Sequence, residues 1–177
     1  MSTALNKLLP TAILALCLFA APGHAASPEA KAAPVVERVL ELMRSGDQAT
    51  SLGAMLLSVR VSDYWRLEPF VRQSISHGDP QWVKAVKAYT LYCYTLTHED
   101  AARYIEALPE DRENFNALID FEGSVTRQPG SDILRQLLPL STQEHNKALR
   151  ELALVKLERL HRVADGWVAE WLGASIQ

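Results

Sequence analysis

Cysteine is nearly absent from this chain, with two in 177 residues, and their positions exclude a disulfide-stapled fold. Cys17 lies in an apolar run that reads as part of a secretory leader, which leaves Cys93 without a partner in the same molecule. Aromatics are sparse, at 7%, and Lys and Arg do not exceed the acids, so there is no basic field to hold a phosphate backbone. Nucleic-acid binding is therefore not expected. Long apolar runs are missing too. The fourteen residues between Lys7 and Pro22 include Pro10 and Thr11, where a membrane span takes roughly 20 apolar ones.

That N-terminal segment is instead expected to be a cleaved signal peptide, residues 1–25. Lys7 is the positive start, Ile13 to Ala21 the apolar centre, and Gly23 and Ala25 the small residues before a cut. Leu16 stands before Cys17, where a lipoprotein signal needs a small residue, so lipidation is not expected. The reading places the working protein in the periplasm of a Gram-negative cell, or outside the cell otherwise, with no membrane anchor after cleavage. Removing 25 residues from 177 leaves 152, and removing Lys7 leaves 17 Lys and Arg against 21 Asp and Glu, a charge of −4. One domain of this size is expected to hold by apolar packing.

Apolar residues recur at helical spacing almost throughout, and alternation is too brief for a strand except at Val59-Arg60-Val61. The pattern predicts an all-α domain over residues 34–177 with seven to nine helices, preceded by a flexible tail at 26–33. A first helix is expected from Pro34 to Arg44, a second from Asp47 to Ser58, and a third from Pro69 to His77. A fourth follows Asp79-Pro80, with Trp82, Val86, Tyr89, Cys93 and Leu96 as its buried seam. Thr97 with Asp100 caps a fifth that Pro109 ends, and a sixth runs from Glu110 to Glu122 before a loop from Gly123 to Gly130. Ser131 caps a short helix, and Ser141-Thr142-Gln143-Glu144 forms a capping box for the longest, which extends to Ala164. Its wide arc of Leu149, Leu152, Leu154, Val155, Leu157, Leu160 and Val163 marks it as the central packing element. Asp165-Gly166 then breaks the chain before a terminal helix carrying Trp167 and Trp171, expected to close the end of the core.

Breaks at Gly46-Asp47, Gly78-Asp79, Pro109-Glu110 and Pro139-Leu140 fall about thirty residues apart, a period that suits stacked antiparallel helical hairpins. The unit with Trp82, Tyr89 and Pro109 resembles a tetratricopeptide repeat at those three positions, with Val86 where that repeat has glycine; the resemblance implies a solenoid-like stack. An irregular bundle gives the same spacing, because helices of ten to fifteen residues with short loops generate it without repetition.

The chemistry-bearing residues are few. Cys93 within an apolar seam predicts a buried, inert thiol. His98-Glu99-Asp100 groups a base with two acids, but consecutive helical residues diverge by about 100°, and the acids suit the positive end of their helix. His77 likewise suits a helix C-terminus. His145 and His161 stand on different helical faces, and neither a His-Glu-x-x-His nor a paired-cysteine pattern occurs, so no metal or cofactor is expected.

The candidate binding residues are Lys84, Lys87, Leu91 and Tyr94, which fall on the fourth helix away from its seam, together with Tyr64 and Trp65 beside a break. Exposed, they would make a mixed aromatic and cationic groove. Covered by neighbouring helices, Leu91 and Tyr94 would be core and the lysines would reach outward to water. The expected function is that of an exported, non-enzymatic helical protein binding a protein partner, such as an envelope-complex adaptor or a neutraliser of a secreted toxin or enzyme. A binder of an apolar small ligand or lipid is the alternative, and an enzyme with dispersed residues around His98 the third.

Overall fold

The computed structural model describes residues 28–61, 63–127 and 131–176. The expected leader, residues 1–25, lies outside them. Among the described residues the chain is all-helical with no strand, ten α-helical segments and one 3-10 turn packed as a bundle. The elements are α1 (Pro28–Met43), α2 (Gln48–Ser58), a 3-10 turn (Tyr64–Arg66), α3 (Glu68–Ser74), α4 (Gln81–Thr95), α5 (His98–Ala107) and α6 (Arg112–Thr126). The remainder are α7 (Asp132–Arg135), α8 (Leu137–Ser141), α9 (Lys147–Val163) and α10 (Gly166–Ile176). Only Gln136 separates α7 from α8, so the two form one broken helical segment.

The centre of the bundle is α4 rather than the longest helix. Val83, Ala85, Val86, Ala88, Tyr89, Leu91, Tyr92 and Tyr94 are all buried, which covers α4 on every side. A helix apolar around its circumference belongs inside a core. Accordingly α2, α3, α5, α6 and the 3-10 turn all pack on α4, while α9 packs on α5, α8 and α10. Leu154 and Val155 of α9 are exposed, so its apolar arc is only partly used and it lies at the periphery. Helix α2 also touches α6, and α5 touches α9, each pair skipping an intervening unit. A solenoid joins only adjacent repeats, so the packing is that of an irregular bundle.

Several element ends differ from the sequence pattern. The first helix starts at Pro28, so the backbone of 28–33 is helical rather than a tail and Pro34 falls inside α1. The run Glu-Ala-Lys-Ala-Ala between the two prolines is made of strong helix formers, and Pro28 suits a first position. Val59-Arg60-Val61 is no strand: the Arg60 and Val61 amides donate back to Leu57 and Ser58 carbonyls as α2 unwinds. Helix α6 continues through Gly123 to Thr126 and ends on Arg127 in the left-handed region, where a loop was expected.

The capping box at Ser141 is not used as one. Ser141 closes α8 and donates its hydroxyl to the Leu138 carbonyl, while Asn146 caps α9 by accepting the Leu149 amide at 3.0 Å. Four other helix starts carry a local side-chain cap. Asp47, Thr97, Asp111 and Ser131 each accept the amide three residues on, satisfying donors that a helix start leaves free.

Tyrosines join the layers. Tyr104 of α5 stacks on Tyr92 at 5.6 Å, meets the edge of Tyr89 at 5.8 Å, and donates its hydroxyl to the Ile133 carbonyl. Trp82 of α4 lies 5.3 Å from Phe121 of α6.

Candidate functional site

For Leu91 and Tyr94 the covered arrangement of α4 is the one that forms, not the exposed groove. Leu91 and Tyr94 are buried, in a helix on which α2, α3, α5 and α6 all pack. Lys87 is buried as well, and it does not reach outward to water as a snorkelling lysine would. Its ammonium donates to the Ser74 carbonyl at 2.6 Å and to the Asp79 carboxylate at 2.7 Å, fastening the C-terminus of α3 and the 75–80 connection onto α4. Asp79 therefore serves this lysine and the Ser76 amide rather than capping α4, whose N-cap is Pro80. Lys84 sits half-buried near the start of the same helix.

Residues near the opposite end of α4 do come together. Tyr64 of the 3-10 turn stacks on Tyr94 at 5.2 Å, and the Tyr94 hydroxyl is hydrogen-bonded to Ser58 Oγ at the end of α2. Burial pushes the Tyr94 phenol above its ordinary range, so it stays neutral. Each ring of the stack has an exposed apolar residue close to it in the chain. Trp65, next to Tyr64, is 66% exposed, and Leu96, two residues beyond Tyr94, is also 66% exposed.

Leu96 is therefore not part of the buried seam that the helical spacing predicts. Helix α4 ends at Thr95, and Leu96 is its cap with φ 51°, ψ 24°, in the left-handed region. The turn swings its side chain off the helical stripe. Glycine or asparagine usually takes this position, because a Cβ there crowds the following carbonyl by about 1–2 kcal/mol. Leucine at the position, facing water, is a signal present in the sequence once the helix end is known.

The acid and base candidates diverge. Asp100 is buried and accepts from Thr95 at 2.8 Å, Thr97 at 3.1 Å and Arg72 at 3.1 Å, with Arg103 at 3.3 Å. Burial raises its pKa, but these donors outweigh that and hold the carboxyl below its usual range. Glu99 is bound to Arg103 at the surface and His98 is exposed beside it. Asp100 joins α3 to α5, and the three residues do not converge on a common point.

Two further buried polar groups escaped the sequence reading. Lys156 of α9 donates to the Leu108 carbonyl at 3.1 Å and to Glu110 at 2.6 Å, closing the end of α5. Glu122 of α6 is 1% exposed and accepts from Ser131 and from the Ile133 amide at 3.0 Å, capping α7 from a distance. Cys93 is half-buried, and burial pushes its thiol up to about 11.

Trp171 packs against the core, while Trp167 is exposed. Among the described residues no cluster of His, Cys, Asp and Glu could hold a metal ion, and no helix is long and apolar enough to cross a membrane. No protein-family model matches the chain, and neither does any curated protein or solved structure.

Proposed function

We propose that this is an exported, non-enzymatic protein that binds a protein partner at the end of α4, with Trp65 and Leu96 as its apolar anchors. The observation that carries the reading is Leu96, a large apolar side chain held in the left-handed region with two-thirds of its surface in water. Local physics favours glycine there, so leucine lowers stability without contributing to the core. Strain that the fold does not use is characteristic of functional positions. Trp65 supports the same reading, since tryptophan is among the residues that dominate binding energy. The Tyr64–Tyr94 stack ties the 3-10 turn that carries Trp65 to the end of α4 that precedes Leu96.

Export rests on the leader pattern of residues 1–25. The test is capture from the native envelope, with tagged protein expressed at its own level. A stoichiometric protein partner should be retained by the wild type and lost by Trp65→Ala and Leu96→Gly, with the helical circular dichroism of both variants unchanged. Failure to retain any protein, or equal retention by both variants, contradicts the proposal. A co-purifying lipid in place of a protein would favour the small-ligand alternative.

A further inference from the structure

The break between α9 and α10 carries a chemistry that the binding reading does not use. We propose that Asp165-Gly166 is a site of spontaneous isoaspartate formation in the folded protein, a slow modification that loosens α10. It is the one aspartate followed by glycine; the other seven precede Gln48, Tyr64, Pro80, Ala101, Arg112, Phe121 and Ile133. Attack by the following amide nitrogen on the aspartyl side chain needs an approach that a neighbouring Cβ obstructs and that a regular helix forbids. Both obstacles are missing here.

Gly166 has φ +54°, and a Cβ placed on it would meet nothing within 4 Å, so the space beside the scissile amide is open. Asp165 lies outside both helices with its side chain 64% exposed. The Gly166 amide opens α10 and has no carbonyl within that helix to receive it. The restraint on the carboxylate is Arg112 of α6, which pairs with both its oxygens at 3.2 Å. Arg112 is 62% exposed, and exposed pairs of this kind hold weakly.

In the reaction the Gly166 nitrogen forms a bond to Asp165 Cγ. One carboxyl oxygen departs as water, taking the amide proton and the carboxyl proton. The resulting five-membered succinimide is then opened by water. Addition at the side-chain carbonyl restores aspartate. Addition at the main-chain carbonyl breaks the original peptide C–N bond and leaves the chain running through Cγ, with a free α-carboxylate. One water is lost and one gained, so the mass is unchanged. The product lengthens the backbone by one methylene, which pulls the carboxylate from Arg112 and shifts the start of α10 beside Trp167.

The test is to age the purified folded protein at 37 °C and neutral pH and then digest it. Electron-transfer fragmentation identifies isoaspartate by position, and an isoaspartyl carboxyl methyltransferase with labelled S-adenosylmethionine counts it. The account predicts isoaspartate rising at residue 165 while the other seven aspartates stay flat. Asp165→Glu, which keeps the charge but cannot close a five-membered ring, should lose the methyl acceptance at this site. Asp165→Asn should pass through the same ring and gain one mass unit on deamidation. Accumulation at residue 165 only in urea, with none in the folded protein, overturns the proposal, as does a signal undiminished in Asp165→Glu.

Discussion

The Lys87 ammonium lies 2.7 Å from the Asp79 carboxylate and 2.6 Å from the Ser74 carbonyl, almost out of reach of water. One cation thus closes the end of α3 and the turn that follows it against the central helix. Deleting one partner of a buried pair strands the other, at a cost of about 3–5 kcal/mol. Lys87→Ala should therefore lower the urea-unfolding free energy by about 3 kcal/mol. A paired replacement, Lys87→Met with Asp79→Leu, should recover most of that loss, since no charge is then left unpaired. A loss well under about 1 kcal/mol, as for surface pairs, would show that the site is wet.

Leu96→Gly should raise stability by up to about 1 kcal/mol, because glycine takes φ 51° without a Cβ clash and no buried contact is lost. Thermal or urea unfolding reads this directly. The same change should weaken partner binding, so the two effects run in opposite directions. A destabilised Leu96→Gly variant would show that the leucine is packed in solution.

Glu122 should give the fold a component of stability that increases on acidification. Burial, the largest influence, raises its pKa above 4.5 despite the bonds from Ser131 and Ile133. The folded state therefore binds the proton more tightly than the unfolded chain does. Its favourable contribution is complete below 4.5 and is lost as pH rises through the higher folded value. Glu122→Gln should flatten the stability profile between neutrality and 4.5. Asp100 and Glu110, whose donors hold them below their ordinary values, act in the opposite sense, and their contribution disappears only at lower pH. Urea midpoints measured across pH for wild type and Glu122→Gln separate these effects.

Cys93 should resist thiol reagents while the protein is folded. With its pKa up at about 11, the thiolate that reacts is scarce at pH 8. Labelling of Cys93 by a disulfide reagent should be slow in buffer and rapid in urea. Fast labelling of the folded form would place Cys93 in a more open setting.

What could be read from the sequence was what neighbouring residues decide. Thr97 and Ser131 cap their helices as expected because a cap needs only an amide three residues away. The all-helical class followed in the same way from spacing. The site did not, because it depends on which sides of α4 other helices cover. Leu91 and Tyr94 carry the same pattern whether exposed or enclosed, and only the packing of α2, α3, α5 and α6 around them decides it. Lys87 is invisible for a related reason, since its partners Ser74 and Asp79 meet it only through the α3–α4 turn. Leu96 keeps the helical spacing of the seam in the sequence, but α4 ends at Thr95 and the left-handed turn takes Leu96 off the helix. Trp65 kept its place as a candidate because a short turn beside a break leaves a large side chain little to pack against.

Site-specific photocrosslinking in the native envelope addresses the binding surface most directly. A benzophenone amino acid is placed at Trp65 or Leu96, and at exposed Leu154 on α9 as the control. The account predicts one discrete crosslinked protein from positions 65 and 96 and none of it from 154. Crosslinks absent at both positions, or the same diffuse products at all three, would contradict it.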